Sequence, residues 1–262
     1  MRHKKILSLF VLLTALFFNL QSHAEMRPVL KNRAGIPPFD ILREILATGN
    51  RIKGTGAVPQ QNSSAAPHIT WLADADARVQ PEFILTHPDQ RVYTVRNLAN
   101  QLGTSLGAID YGVLYLHSPI LLITGNTDSE AIRLFTGGYA DLDQTIRREL
   151  DHLYLPLGYP AKDSKEEDRE HERRLVEKNV DYQVRQAMER YSDRISNSRL
   201  VVVGSVLDIA NYYGKGANQL IIININGETD GEKIKKMQLL RILNPKLLAN
   251  IGRPAALDPK KH

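Results

Sequence analysis

Five short apolar runs, at residues 68–73, 91–95, 120–124, 200–203 and 220–225, constrain the fold of this chain more than any other feature. Each is bounded by polar or turn-forming residues and carries the β-branched or aromatic side chains that suit a strand. Between the second and third runs, Leu106, Ile109, Tyr111, Val113 and Leu114 follow a helical spacing, and an amphipathic helical pattern over 179–191 precedes the fourth. Strands that alternate with helices are joined by crossovers, and crossovers produce a parallel sheet covered on both faces. The last two runs are instead separated by Gly214-Lys215-Gly216, which predicts a turn there. The expected class is α/β, a mostly parallel central sheet flanked by helices.

The chain opens with Arg2, Lys4 and Lys5, an apolar run over 6–20, and Ser22-His23-Ala24 before Glu25. That order of basic, apolar and small residues predicts a secretory signal peptide over 1–24. Its apolar run is shorter than the ~20 residues a bilayer crossing needs, so cleavage after Ala24 is expected rather than a retained anchor. No Cys follows it to carry a lipid. The expected location is the periplasm or the cell exterior, with no transmembrane segment after cleavage.

Residues 25–67 read as an N-terminal arm: Ile41, Leu42, Ile45 and Leu46 lie on one face of a helix over 40–49, and a Gly/Pro/Ser-rich linker follows over 53–67. Residues 68–230 form the main domain. Within it, 162–178 is almost entirely charged, with opposite signs three and four apart, as in Glu166/Glu170/Arg174, which predicts a solvated helix held by such pairs. A basic extension over 231–262 has eight Lys/Arg against Glu232 and Asp258, and Ile234, Met237, Leu239, Leu240 and Ile242 form its apolar set. That set predicts packing on the chain's own domain rather than on a membrane.

The whole chain has 34 Lys+Arg against 29 Asp+Glu, but the leader holds three of the basic residues and none of the acidic ones. The remainder is nearly neutral, so no nucleic-acid partner is expected. The chain has no Cys, which rules out disulfides and thiolate ligands alike. A metal site would have to be built from imidazole, carboxylate, amide or hydroxyl groups.

Two loops follow expected strands, at the carboxyl ends where parallel sheets place ligands. The first runs Trp71-Leu72-Ala73-Asp74-Ala75-Asp76-Ala77-Arg78-Val79-Gln80-Pro81-Glu82, the second Gly125-Asn126-Thr127-Asp128-Ser129-Glu130-Ala131. Between them stands Arg96-Asn97-Leu98-Ala99-Asn100-Gln101, and later come Asn179-Val180-Asp181-Tyr182-Gln183-Val184 and Val203-Gly204-Ser205-Val206-Leu207-Asp208. In this order the segments resemble the β-class carbonic anhydrases over about residues 40–226. The family's first loop reads Cys-x-Asp-Ser-Arg followed by Pro-Glu, so Asp76, Arg78, Pro81 and Glu82 match, while Asp74 stands at the zinc-binding Cys. The second reads Gly-His-x-x-Cys-Gly, so Asn126 replaces His, Ser129 replaces Cys and Glu130 replaces Gly.

The resemblance implies a three-layer fold and, in ordinary members, a zinc ion that lowers the pKa of bound water from ~15.7 towards ~7. Here all three ligand positions, Asp74, Asn126 and Ser129, hold oxygen side chains. Zinc is not expected. A weak site for magnesium, calcium or manganese is the remaining metal option, with Asp76, Asp128 and Glu130 as further oxygen donors. Asp76 and Arg78 match the family's gate dyad. Trp71 and Arg96 match two of three residues that hold a non-catalytic bicarbonate in one subclass, and Leu207 replaces the third, a Tyr. Serine chemistry at Ser129 has no base at a telling spacing in His117 or His152.

Two functions follow. The first is a zinc-free binding or scaffold protein, without normal carbon dioxide hydration, that keeps the fold and forms a homodimer or higher homo-oligomer and takes bicarbonate or another small anion. The second is an enzyme: a carbonic anhydrase (carbonate dehydratase) with a non-zinc or metal-free site, or a related lyase or hydrolase centred on Asp74, Asp76 and Arg78.

Overall fold

Strand β1 (Ile69–Asp74) is an interior strand of the sheet, and every one of its residues is buried. It pairs in parallel with β2 (Val92–Asn97) on one side and β3 (Ile120–Asn126) on the other, with Ile69 opposite both Val92 and Ile120. Strand β4 (Val201–Asp208) adds in parallel to β3, and β5 (Gln219–Ile225) closes the order β2-β1-β3-β4-β5 as the one antiparallel member. This computed structural model describes residues 38–48, 67–159 and 169–254. The expected signal peptide and nearly all of the expected linker lie outside the described residues. No helix among those described is long and apolar enough to cross a membrane.

The pleat divides the core into two layers, since neighbouring strand residues point to opposite faces. Leu72, Leu121, Ile123, Val202 and Val206 face the long helix α6 (Arg169–Arg190) through its Val176, Val180, Val184 and Ala187. Trp71, Ala73, Ile120, Leu122, Val203 and Leu207 face the other way, towards Ile41, Leu42, Ile45 and Leu46 of α1 (Pro38–Thr48). Helix, sheet and helix thus make the three expected layers. The smaller helices are α2 (Leu106–Asp110), α3 (Glu130–Gly137), α4 (Gln144–Asp151), α5 (Tyr154–Leu157), α7 (Ser192–Ser196) and α8 (Gly231–Lys235).

Three expectations need correction. First, the charged stretch is not simply solvated. Its described part joins the following amphipathic segment in the single helix α6, where Arg173 and Glu177 are buried. Arg173 Nη1 lies 2.6 Å from Glu177 Oε1, which also accepts from the Tyr213 hydroxyl at 2.6 Å. Arg253 Nη2 bonds Asp181 Oδ2 at 2.5 Å, and its Nε is 3.2 Å from Glu177 Oε2. The spacing of charges announced a helix, but which of them turn inward depends on Tyr213 and Arg253, far away in sequence.

Second, Tyr111 and Leu114 are about half exposed, whereas Ile109 and Val113 are buried. The helix passes into a π-turn at Tyr111–Tyr115, where Leu116 N bonds Tyr111 O at 2.8 Å; the extra residue in the turn rotates the apolar face. Third, the tail packs on the domain with Ile234, Met237, Leu239 and Leu240 of the expected set, but not with all of it. Ile234 and Leu240 are buried, yet Ile242 is 78% exposed, and Leu243 and Ile251 fill the layer instead. A 3-10 turn at Gln238–Leu240 breaks the helical period, and Ile251 then pairs with Ile222 of β5.

Gly204 of β4 marks a close approach of sheet and helix: a Cβ there would lie 2.9 Å from both Val180 Cγ1 and Val184 Cγ2. Gly204→Ala is expected to lower stability by about 1–3 kcal/mol by overpacking, measurable as a reduced urea midpoint with unchanged slope.

Candidate functional site

The carboxyl ends of β1 and β3 converge on three polar side chains. Asp74 is the last residue of β1, Asn126 the last of β3, and Ser129 the N-cap of α3; all three are buried. The sequence places them there for local reasons. Asp128, at φ 64°, takes the left-handed conformation that Asp tolerates, turning the chain out of β3 so that Ser129 Oγ can accept from Ile132 N at 3.4 Å.

The same Ser129 hydroxyl donates to Asp74 Oδ2 at 2.5 Å, and Asp74 Oδ1 accepts from Ala99 N at 2.8 Å. Both carboxyl oxygens are therefore used. Burial raises the Asp74 pKa above the ordinary carboxylate value, against the lowering effect of these hydrogen bonds. Asn126 Nδ2 donates to Asp76 Oδ2 at 3.2 Å, while its buried Oδ1 has no hydrogen-bond partner among the described residues.

Asp76 and Arg78 meet as expected, but in a wider network. Asp76 accepts from Arg78 N at 2.8 Å, Nε at 3.0 Å and Nη2 at 2.6 Å, and these bonds hold its pKa below the usual value. Arg78 also reaches Asp128, with Nη1 2.5 Å from Oδ2 and Nη2 2.9 Å from the backbone oxygen. Arg133 bonds Asp128 in turn and also Glu130, so charges alternate across the mouth of the pocket. Glu130, at the position where the family has Gly, points outward to Arg133 with 64% of its side chain exposed. The Arg78 side chain is 45% exposed, so this network orients groups more than it stabilises the fold.

Trp71 is buried, its Nε1 donating to Thr124 Oγ1 at 2.8 Å. The Arg96 guanidinium carbon lies 5.6 Å from the Trp71 ring centre, and Nη2 donates to Gln80 Oε1 at 3.3 Å. Among the described residues Arg96 has no carboxylate partner. The structure thus links Asp74 with Ser129 and Asp76 with Asn126 and Arg78, and sets Arg96 beside Trp71 as a separate pair.

Three participants escaped the sequence reading in their present roles. Asp128 bridges two arginines. Ala99 and Asn100 form a consecutive left-handed pair, at φ 56° and 46°, held by Asp74 and by Asn179 Nδ2 bonding Ala99 O at 2.7 Å. Glu172 of α6, its pKa raised by burial, approaches Asp128 and accepts from the Tyr212 hydroxyl at 3.1 Å. Only Asp128 carried a local signal, the left-handed tolerance of Asp; the others depend on chain crossings.

The donor set does not fit zinc. A tetrahedral site with bonds of ~2.0 Å separates its ligand atoms by about 3.3 Å, whereas the Asp74 and Ser129 oxygens are 2.5 Å apart and share a proton. The third group is a neutral amide. Among the described residues no group of three or more His, Asp or Glu side chains is placed to hold a metal ion.

A mostly parallel α/β sheet with a buried polar cluster at its carboxyl ends defines the class of this protein. A family model described as carbonic anhydrase matches residues 69–215, and the chain belongs to the β-carbonic anhydrase family as a divergent member. Among solved structures, a tetrameric β-carbonic anhydrase of the filamentous ascomycete Sordaria macrospora is 19% identical, with a TM-score of 0.51 over 61% of this chain and 82% of that one. The Coccomyxa β-carbonic anhydrase in complex with acetazolamide is 18% identical, with a TM-score of 0.51 over 66% of this chain and 78% of that one. At these identities the likeness is one of fold. No sequence among curated proteins matches the chain.

Because the folded Asp74 keeps its proton to higher pH than the unfolded one, its ionisation costs stability as pH rises. Asp74→Asn removes that titration and retains a partner for Ala99 N. Its stability relative to the wild type should increase as pH rises above the unfolded carboxyl value of 3.8, in denaturant titrations. Asp74→Ala strands the Ala99 N–H and should lose about 1–3 kcal/mol.

Proposed function

We propose that this chain is a zinc-free β-carbonic anhydrase relative that acts by binding or scaffolding rather than by normal carbon dioxide hydration. One observation carries the reading: Asp74 and Ser129, at two positions that the resemblance equates with zinc ligands, are bonded to each other at 2.5 Å. Their polar capacity is spent internally, and neither offers the soft or imidazole donor that zinc selects. Asp76, the base the family dyad would supply, is held ionised and weakly basic by Arg78. Metal-free generation of hydroxide from water has no strong base in this arrangement.

Further parts of the proposal rest on other features. Residues 1–24 support export to the periplasm or beyond. The tetrameric Sordaria relatives support a homo-oligomer. Arg96, stacked near Trp71 and without a carboxylate partner among the described residues, supports a small anion such as bicarbonate, although Leu207 supplies no hydroxyl to complete it.

A catalytic alternative has its own observation. Asp74 and Asp76 are pushed in opposite directions, Asp74 up by burial and Asp76 down by Arg78, which is the pattern of a proton donor beside an ionised carboxylate. Such a pair suits a metal-free lyase or hydrolase.

Metal analysis of the purified chain, combined with stopped-flow carbon dioxide hydration, separates these readings. The expected result is no stoichiometric metal and hydration at the buffer rate. Stoichiometric metal, or hydration abolished by Asp76→Ala, would overturn the proposal. Restoring the family's donors with Asp74→Cys, Asn126→His, Ser129→Cys and Glu130→Gly together should create zinc binding. A folded variant that stays metal-free would show that these positions do not correspond to the family's ligands.

A further inference from the structure

The end of the sheet opposite the pocket carries positive charge that no described residue neutralises. His117 and Arg199 lie just before β3 and β4, which run side by side from Ile120 opposite Val201. Arg194 of α7 joins them: its backbone oxygen accepts from Arg199 N at 2.8 Å, and its Nη1 lies 3.1 Å from His117 Nδ1. From this arrangement we propose that Arg194 and Arg199, with His117 beside them, bind a doubly charged tetrahedral oxyanion of the phosphate class.

The local electrostatics ask for such a partner. Among the described residues neither arginine has a carboxylate within ion-pair distance; Arg190, one turn earlier on α6, is by contrast fully engaged by Asp110. Asp193, although next to Arg194 in sequence, makes no ion pair with it. Arg194 Nε is shielded from solvent and lacks an acceptor, so the guanidinium is short of hydration and of hydrogen bonds together. Burial, and then the nearby charge of Arg199, holds the Arg194 pKa below its ordinary value.

His117 cannot supply the missing negative charge. Burial and Arg194 depress its pKa, so the ring is neutral and presents Nδ1 as an acceptor to the guanidinium. It does so from a left-handed backbone at φ 58°, and Ser198 beside Arg199 is left-handed at 56°. Both loops are thus bent so as to hold the two cations at one corner. A dianion matches their combined charge, and its oxygens suit the planar donors of a guanidinium. A singly charged ion such as chloride satisfies half of it.

The test is isothermal titration of the full chain with inorganic phosphate at about pH 7.5, with ionic strength held constant by sodium chloride. Saturable binding at one site is expected, with sulfate competing. Arg194→Gln and Arg199→Gln should each weaken it about tenfold or more, while Arg147→Gln, which alters an exposed arginine on α4, should leave it unchanged. Phenyl phosphate in a parallel titration separates the sources: equal affinity points to a phosphate group on a larger molecule, and exclusion points to the free ion. The proposal fails if the wild type shows no saturable binding. It also fails if Arg199→Gln, folded by circular dichroism, binds phosphate as the wild type does, or if Arg147→Gln weakens binding equally.

Discussion

The buried carboxyl of Asp74 is the junction on which the polar end of this molecule depends. Through Ser129 it ties β1 to the start of α3, and through Ala99 N it ties β1 to the segment that leaves β2. That segment is left-handed at two consecutive non-glycine residues, a conformation that costs about 1–3 kcal/mol per residue and persists only where surrounding bonds over-determine it. Asn97 closes a ring with the backbone of Gln101, and Asn179 holds Ala99 O from α6. One carboxyl group thus organises three loops where relatives in the family would use a metal ion.

Around this buried, internally bonded centre the charge is arranged in an outer layer. Arg78 and Arg133 alternate with Asp76, Asp128 and Glu130 at the solvent boundary, and each acid in contact with Arg78 stays ionised because of it. The depth of each group decides its state. Asp74, deep in the fold, gains from its proton; Asp76, with a water-facing guanidinium beside it, gains from losing one. Asn126 Oδ1 lies between these regimes, buried and without a hydrogen-bond partner among the described residues.

Much of the fold was legible in the sequence because a parallel sheet buried on both faces needs nearly continuous apolar strands, and residues 69–74 and 120–126 are such strands. Four of the five strands have ends within two residues of the expected ones, while β4 runs on to Asp208, five residues past its expected end. Buried charge was less legible. The pattern around Arg173 and Glu177 is that of a surface helix, and only Tyr213 and Arg253 reveal it as an internal network. The exposed Tyr111 and Leu114 were misread for a related reason: a single π-turn rotates a face, and no side-chain spacing announces it.

The sequence by itself determined the strand order's α/β character, the family resemblance, the absence of thiolates and the identity of the three oxygen side chains at the pocket. Those follow from composition and from short-range pattern, which the chain carries wherever it goes. Tertiary structure alone decided that Ser129 bonds Asp74 rather than facing a ligand, that Arg78 serves two carboxylates, and that Arg194 is left without a counter-charge. Each of these depends on distance between residues far apart in sequence, and on how much water remains between them. In a low-dielectric interior, those two quantities set whether a polar group is an acid, a ligand or a strut.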